Sequence, residues 1–209
     1  MSLFPRAIAP IFIALLCVIV PTGALAQSPT GGAAFEEEPP PPAMLEPGKW
    51  TGPEVPGDVA VLQADGLAAA PANAPEQVKQ AIWAANSLQT LPYRYGGGHN
   101  LKFDVADGAD CSGTVSFALK AAGLLDAPLD SGSFMKWGER GKGDWITVFT
   151  NPGHAYVVIA GLRLDTSVGT GTYALRSRKI AATAFERGPR WRPWKRPGAD
   201  FKKRHPLSF

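Results

Sequence analysis

Three side chains in this 209-residue chain have the types and spacing that acyl transfer needs: Cys111, His154 and Asp165. A cysteine attacks as its thiolate, so something must lower its pKa. Cys111 stands at or next to the start of a predicted helix, whose free N–H groups and positive dipole end favour the anion. The same N–H groups are placed to hold a developing oxyanion. The thiol also needs a base. Of the three histidines, at 99, 154 and 205, His154 follows a Pro-Gly turn and opens the apolar stretch HAYVVIA. From a strand's end its ring can reach a neighbouring helix terminus. An imidazole in turn needs an acceptor for its other N–H. Asp165, in LRLDTS, lies on the next short strand, and a turn at Gly161 brings it back beside His154. Each residue also has a plain structural reading: a small buried hydrophobe, a satisfied polar group at a strand's start, a turn aspartate. Spacing alone leaves both readings open.

The elements that must position these groups follow from periodicity and punctuation. A first helix is predicted over residues 75–89, with Asn73 as its cap and Val78, Ile82, Ala85 and Leu88 or Gln89 on one face. Leu91-Pro92 ends it. The loop PYRYGGGHN follows, where glycines 96–98 permit positive φ and close backbone approach. The second helix starts at or just after Cys111, flanked by Asp110 and Ser112, and stops at Gly123. A glycine-rich loop over 131–143 leads to strands predicted at 145–150, 154–160, 162–166 and 172–178. Helices first and strands afterwards suggest an α+β domain with an antiparallel sheet. Trp83 and Trp137 read as packing residues rather than sugar platforms, and Trp145 as core.

The ends differ in character from this middle. Arg6, the apolar run 7–20 and Ala24-Leu25-Ala26 read as a secretory signal in residues 1–26, cleaved before Gln27. An uncleaved membrane anchor is the alternative. A lipid anchor on Cys17 is disfavoured by Leu16 before it. Cys17 leaves with the signal, so the mature chain keeps one thiol, Cys111, which cannot form an internal disulfide. Residues 27–72, with EEEPPPP at 36–42, read as a disordered Pro/Gly/Glu-rich linker. The net charge of +3 names no partner. The charge is polarised, however: residues 187–209 hold eight Lys and Arg against one Asp, residues 27–186 twelve against seventeen acids. GPRWRP is expected to pack on the domain. The last residues, with Lys202, Lys203 and Arg204, read as a solvated tail or as a holder of anionic wall polymer or lipid head groups. Nucleic acid is not expected for an exported chain.

PYRYGGG, GADCSGTVSFALKAAGLL, GHAYVVIAG and LDTS together resemble the NlpC-type peptidoglycan cysteine peptidases of the papain-like group, over roughly residues 75–180. The resemblance implies N-terminal helices packed on a central antiparallel β-sheet, a catalytic domain over 73–195 and a basic tail over 196–209. It implies Cys111 as nucleophile, His154 as base and Asp165 as third polar residue. It implies that Tyr93 helps shape the oxyanion site and that Asp110 and Ser112 contact substrate. It places His99 near the site, as a substrate contact or a solvated loop residue. No metal or cofactor is implied. The implied substrate is the peptidoglycan stem peptide, cut between D-glutamate and the diamino acid or between muramic acid and L-alanine. There are departures. The third position in the family is most often His, sometimes Asn or Gln, and here it is Asp. AYVVIAG replaces the commoner V-G-I-Y-I-G, and SGSFMKWGERGKG replaces the usual stretch before the second strand. The rival readings are an inactive wall-binding scaffold of the same fold, an exported antibacterial effector, and an amidase or acyltransferase acting on another amide.

Overall fold

Order begins earlier in the chain than composition predicts. The computed structural model describes residues 48–167, 187–193 and 200–209. Three short strands precede the first helix: β1 (Glu54–Val55), β2 (Val61–Leu62) and β3 (Ala68–Pro71). β3 lies between the others, parallel to β1 and antiparallel to β2. Residues 48–72 are therefore folded, which corrects the linker assignment for that stretch. Alanines 68–70 are fully buried. Small side chains bury without much rotamer entropy loss, so a low-hydrophobicity segment can still seat itself on a helix.

That helix is α1 (Glu76–Asn86), whose Val78, Ala81, Ile82 and Ala85 are fully buried. Its N-cap is Pro75; Asn73, the predicted cap, instead donates from Nδ2 to Asp58 Oδ1 at 3.0 Å. Asn86 binds β3 edge-on: its Oδ1 accepts the Ala68 N–H at 2.8 Å and its Nδ2 donates to the Ala68 carbonyl at 2.9 Å. Gln80 holds the Trp50 backbone the same way, at 2.7 and 2.8 Å.

α2 (Cys111–Ala121) starts on the Asp110 cap and gives way to Gly123 at φ 71, the left-handed stop expected of glycine. Residues 131–143, predicted as loop, contain α3 (Ser131–Phe134) and β4 (Glu139–Arg140). Asp130 caps α3, and fully buried Phe134 meets the Trp137 ring edge-on at 5.7 Å. Glycines there made the turns between two very short elements, which periodicity cannot detect.

The remaining strands are β5 (Ile146–Asn151), β6 (His154–Ile159), β7 (Leu162–Asp165), β8 (Arg190–Arg192) and β9 (Lys202–His205). They join β4 in a six-stranded sheet of order β4-β9-β5-β6-β7-β8, antiparallel at every pairing. The described residues thus form a mixed α/β structure, with helices and antiparallel sheets that agree with the α+β class. Ile146, Val148, Ala155, Val157, Ile159, Leu162, Leu164 and Trp191 join the helices in one core. Trp83 belongs to that core, while Trp145 is only partly buried at its margin.

The expected basic tail is corrected too. β9 lies inside the sheet, pairing Arg204 with Val148, Lys203 with Phe149 and Lys202 with Thr150. Backbone pairing does not depend on side-chain charge. Lys202 and Lys203 keep their heads in solvent, and buried Arg204 donates to the Met135 carbonyl. The folded unit therefore extends on both sides of the predicted 73–195 domain. In β8, buried Trp191 gives its N–H to Gln89 Oε1 at 2.7 Å and its indole N–H to Asn86 Oδ1 at 2.8 Å. The predicted signal, the linker up to residue 47, the strand at 172–178 and Trp194 lie outside the described residues. Among the described residues no helix is long and apolar enough to cross a membrane.

Candidate active site

The start of α2 is assembled by its capping residue. Asp110 Oδ1 accepts the Gly113 N–H at 2.8 Å, and Oδ2 accepts the Gly96 N–H at 3.0 Å. His99 Nε2 lies 2.9 Å from Oδ1, and Ser112 Oγ lies 3.2 Å from that same nitrogen. The Asp110 N–H donates to the Gly97 carbonyl at 3.3 Å. One carboxylate thus binds the glycine loop, His99 and the first helical turn together. Glycine is required on both sides of this contact: a Cβ on Gly97 would meet the Gly108 carbonyl, and one on Gly113 the Gly97 carbonyl. Tyr93 is held alongside by a bridge to Ala109.

Cys111 is the first residue of α2 and is only partly buried, which places it at the positive end of the helix dipole. His154 opens β6 and Asp165 closes β7, two antiparallel neighbours in the sheet. His154 Nε2 lies 2.9 Å from Asp165 Oδ1. That leaves Nδ1 as the ring nitrogen available to the Cys111 thiol, whose titration feels both His154 and the Ala155 N–H. The imidazole is further fixed by Phe201, just before β9, whose ring meets it edge-on at 6.2 Å. Asp165 is held by Ser167, whose N–H donates to Oδ1 and whose hydroxyl donates to Oδ2, both at 2.8 Å.

The electrostatics follow from these contacts. Burial works against the Cys111 thiolate, yet the His154 hydrogen bond, the Ala155 N–H and the imidazolium charge bring its pKa below the usual thiol value. Burial likewise opposes a charged His154, but bonds to Asp165 and Cys111 raise it to about 9. Burial also opposes the Asp165 anion, but His154 and Ser167 lower it to about 2. These shifts all act in the direction of a thiolate–imidazolium pair backed by a carboxylate. Tyr93 is pushed up, first by burial and then by Cys111 and Asp110, so its hydroxyl stays a donor. The Asp110 hydrogen bond raises His99 despite burial.

The residues predicted from sequence therefore come together in two groups. His154 and Asp165 are bonded to each other, and Cys111 lies near enough to His154 for each to shift the other's pKa. Asp110, Ser112 and His99 form a second polar group at the same helix terminus, and Tyr93 feels the charges of both Cys111 and Asp110. Sequence reasoning missed Ser167, Phe201 and the Ala155 N–H. Ser167 was legible as a hydroxyl two residues past Asp165, a usual spacing for local side-chain bonds. Phe201 was not, because it reaches His154 from a segment read as a tail. Among the described residues no group of three or more His, Cys, Asp or Glu is arranged to hold a metal ion. No family model matches the chain, and no curated protein matches it.

Proposed function

We propose that this chain is an exported cysteine peptidase of papain-like, NlpC-type fold that hydrolyses amide bonds in peptidoglycan stem peptides. One observation carries the reading: a partly buried cysteine at a helix N-terminus, electrostatically linked to an imidazole that a buried carboxylate holds. The Cys111 thiolate attacks the scissile carbonyl carbon. Helix-terminal N–H groups and the Tyr93 hydroxyl receive the negative charge that develops on the oxygen. His154 gives its Nδ1 proton to the leaving amine as the C–N bond breaks, which leaves a thioester on Cys111. Water then adds to the thioester, its proton passing to neutral His154, and the acid product departs from the restored thiolate. Throughout, Asp165 holds Nε2–H and so fixes the tautomer.

The D-glutamate to diamino acid bond is the favoured target. Asp110, Ser112 and His99 are the groups placed to meet substrate polar atoms beside the nucleophile. Residues 1–26 are the export signal in this reading, and the exposed Lys202 and Lys203 are the contacts for anionic wall polymer or lipid head groups. Digestion of purified muropeptides under reducing conditions tests the proposal, with Cys111→Ala alongside. New peptide products from the parent alone are expected. A folded, reduced parent that releases none rules out the stem peptide as substrate.

A further inference from the structure

The residue behind Asp165 has no part in the reaction as written, yet its placement is specific. Arg163 and Asp165 are two residues apart on β7, so they share one face of the sheet, the face that also carries His154 and Tyr156. Arg163 Nε lies 3.6 Å from Asp165 Oδ2, with side chains 4% and 0% exposed. Its guanidinium carbon stands 6.0 Å over the Tyr156 ring. β8 brings Arg192 opposite Arg163 and Arg190 opposite Asp165. Arg190 has its Nη1 donating to the Leu91 and Pro189 carbonyls. Arg163 thus stands as a buried cation directly against the carboxylate.

We propose that Arg163 is a positioning residue, the standing counter-charge of Asp165, so that His154 is oriented by a net-neutral Arg163–Asp165 pair rather than by a bare buried carboxylate. The inference rests on the triad reading above. The reaction supplies the reason. His154 is charged before amine departure and neutral after it, so its charge cannot compensate Asp165 through the whole cycle. A buried carboxylate that loses its partner charge is costly. Arg163 keeps its proton at all working pH values and so keeps Asp165 ionised when His154 is neutral. It also limits how tightly His154 holds the proton that it must deliver.

Among the described residues, the groups around Asp165 include His154 and Tyr156 on β6, Arg163 on its own strand, Arg190 and Arg192 on β8, Ser167 beyond it, and Cys111 on the far side of His154. Removing a standing cation from this set, with the contacts intact, makes every proton in the site harder to lose. Merely loosening the structure does the opposite to His154, which returns toward 6.5.

The test is NMR titration of the His154 ring in the folded full chain, which needs no substrate and so stands or falls apart from peptide hydrolysis. With three histidines in the chain, assignment is simple. Arg163→Gln is expected to move the His154 midpoint upward by roughly half a unit or more, and Arg163→Lys to restore the parent value. A folded Arg163→Gln protein with an unmoved or lowered midpoint overturns the proposal. Should Arg163→Gln fail to fold, Arg163→Met keeps apolar packing over the Tyr156 ring without the charge. It is expected to shift the midpoint upward likewise, and a folded Met variant with no upward shift overturns the proposal.

Discussion

Asp165 has no exposed side-chain surface, and its bonds to His154 and Ser167 still favour its charged form. Its worth to His154 has two parts, an acceptor for Nε2–H and a negative charge. Substitution separates them. Asp165→Asn keeps an oxygen for the ring but loses the charge, so the His154 pKa falls and the alkaline limb of kcat/KM moves to lower pH. Asp165→Ala loses both and is expected to lower kcat/KM by about 10²-fold or more, with Asn in between. An Asn variant as active as the parent, with an unmoved alkaline limb, would show that the charge has no role. The three central residues were legible in the sequence because each sits where an element begins or ends, and turns mark those places. Arg163 was not legible. Its relevance depends on sharing a sheet face with Asp165, and a charged residue in a strand reads from sequence as solvent-facing.

At the scale of elements, the two long helices and strands β5 to β7 were legible within three residues, α1 ending three residues before the predicted 89, since apolar periodicity and Gly or Pro punctuation mark them. β3 and β9 were not. β3 is AAAP, too weakly hydrophobic to signal burial, and β9 is KKRH, where charge hid a strand that pairs through its backbone. This has a consequence for the base. Deleting residues 200–209 removes β9 from between β4 and β5 and takes Phe201 away from His154. The shortened protein is expected to unfold at a markedly lower temperature and to lose activity. Lys202→Ala with Lys203→Ala, which touches only exposed heads, should stay within about 0.5 kcal/mol per site of the parent. Thermal denaturation followed by circular dichroism distinguishes the two, and a deletion that melts like the parent contradicts the sheet order.

For the whole molecule, the site's charges tie stability to pH. His154 rises from 6.5 to about 9 on folding, so its contribution is complete below 6.5 and is lost as pH climbs through 9. His99 is shifted in the same sense. Asp165 falls from 3.8 to about 2, so its contribution is complete above 3.8 and is lost as pH drops through 2. Both contributions are complete between 3.8 and 6.5. Urea midpoints are expected to be highest in that window and to decline toward pH 9. His154→Ala should flatten the alkaline decline, and an unchanged decline would place its cause elsewhere.

The central claim is that Cys111 forms a covalent bond to the acyl part of a stem peptide, and intact mass spectrometry of an acid-quenched reaction reads that bond. With purified muropeptide in excess, the account predicts a mass increase equal to the acyl fragment, mapped to Cys111, absent from Cys111→Ala and matched by release of the complementary amine. Release of that amine by Cys111→Ala at the parent's rate, with no adduct on the parent, would contradict it.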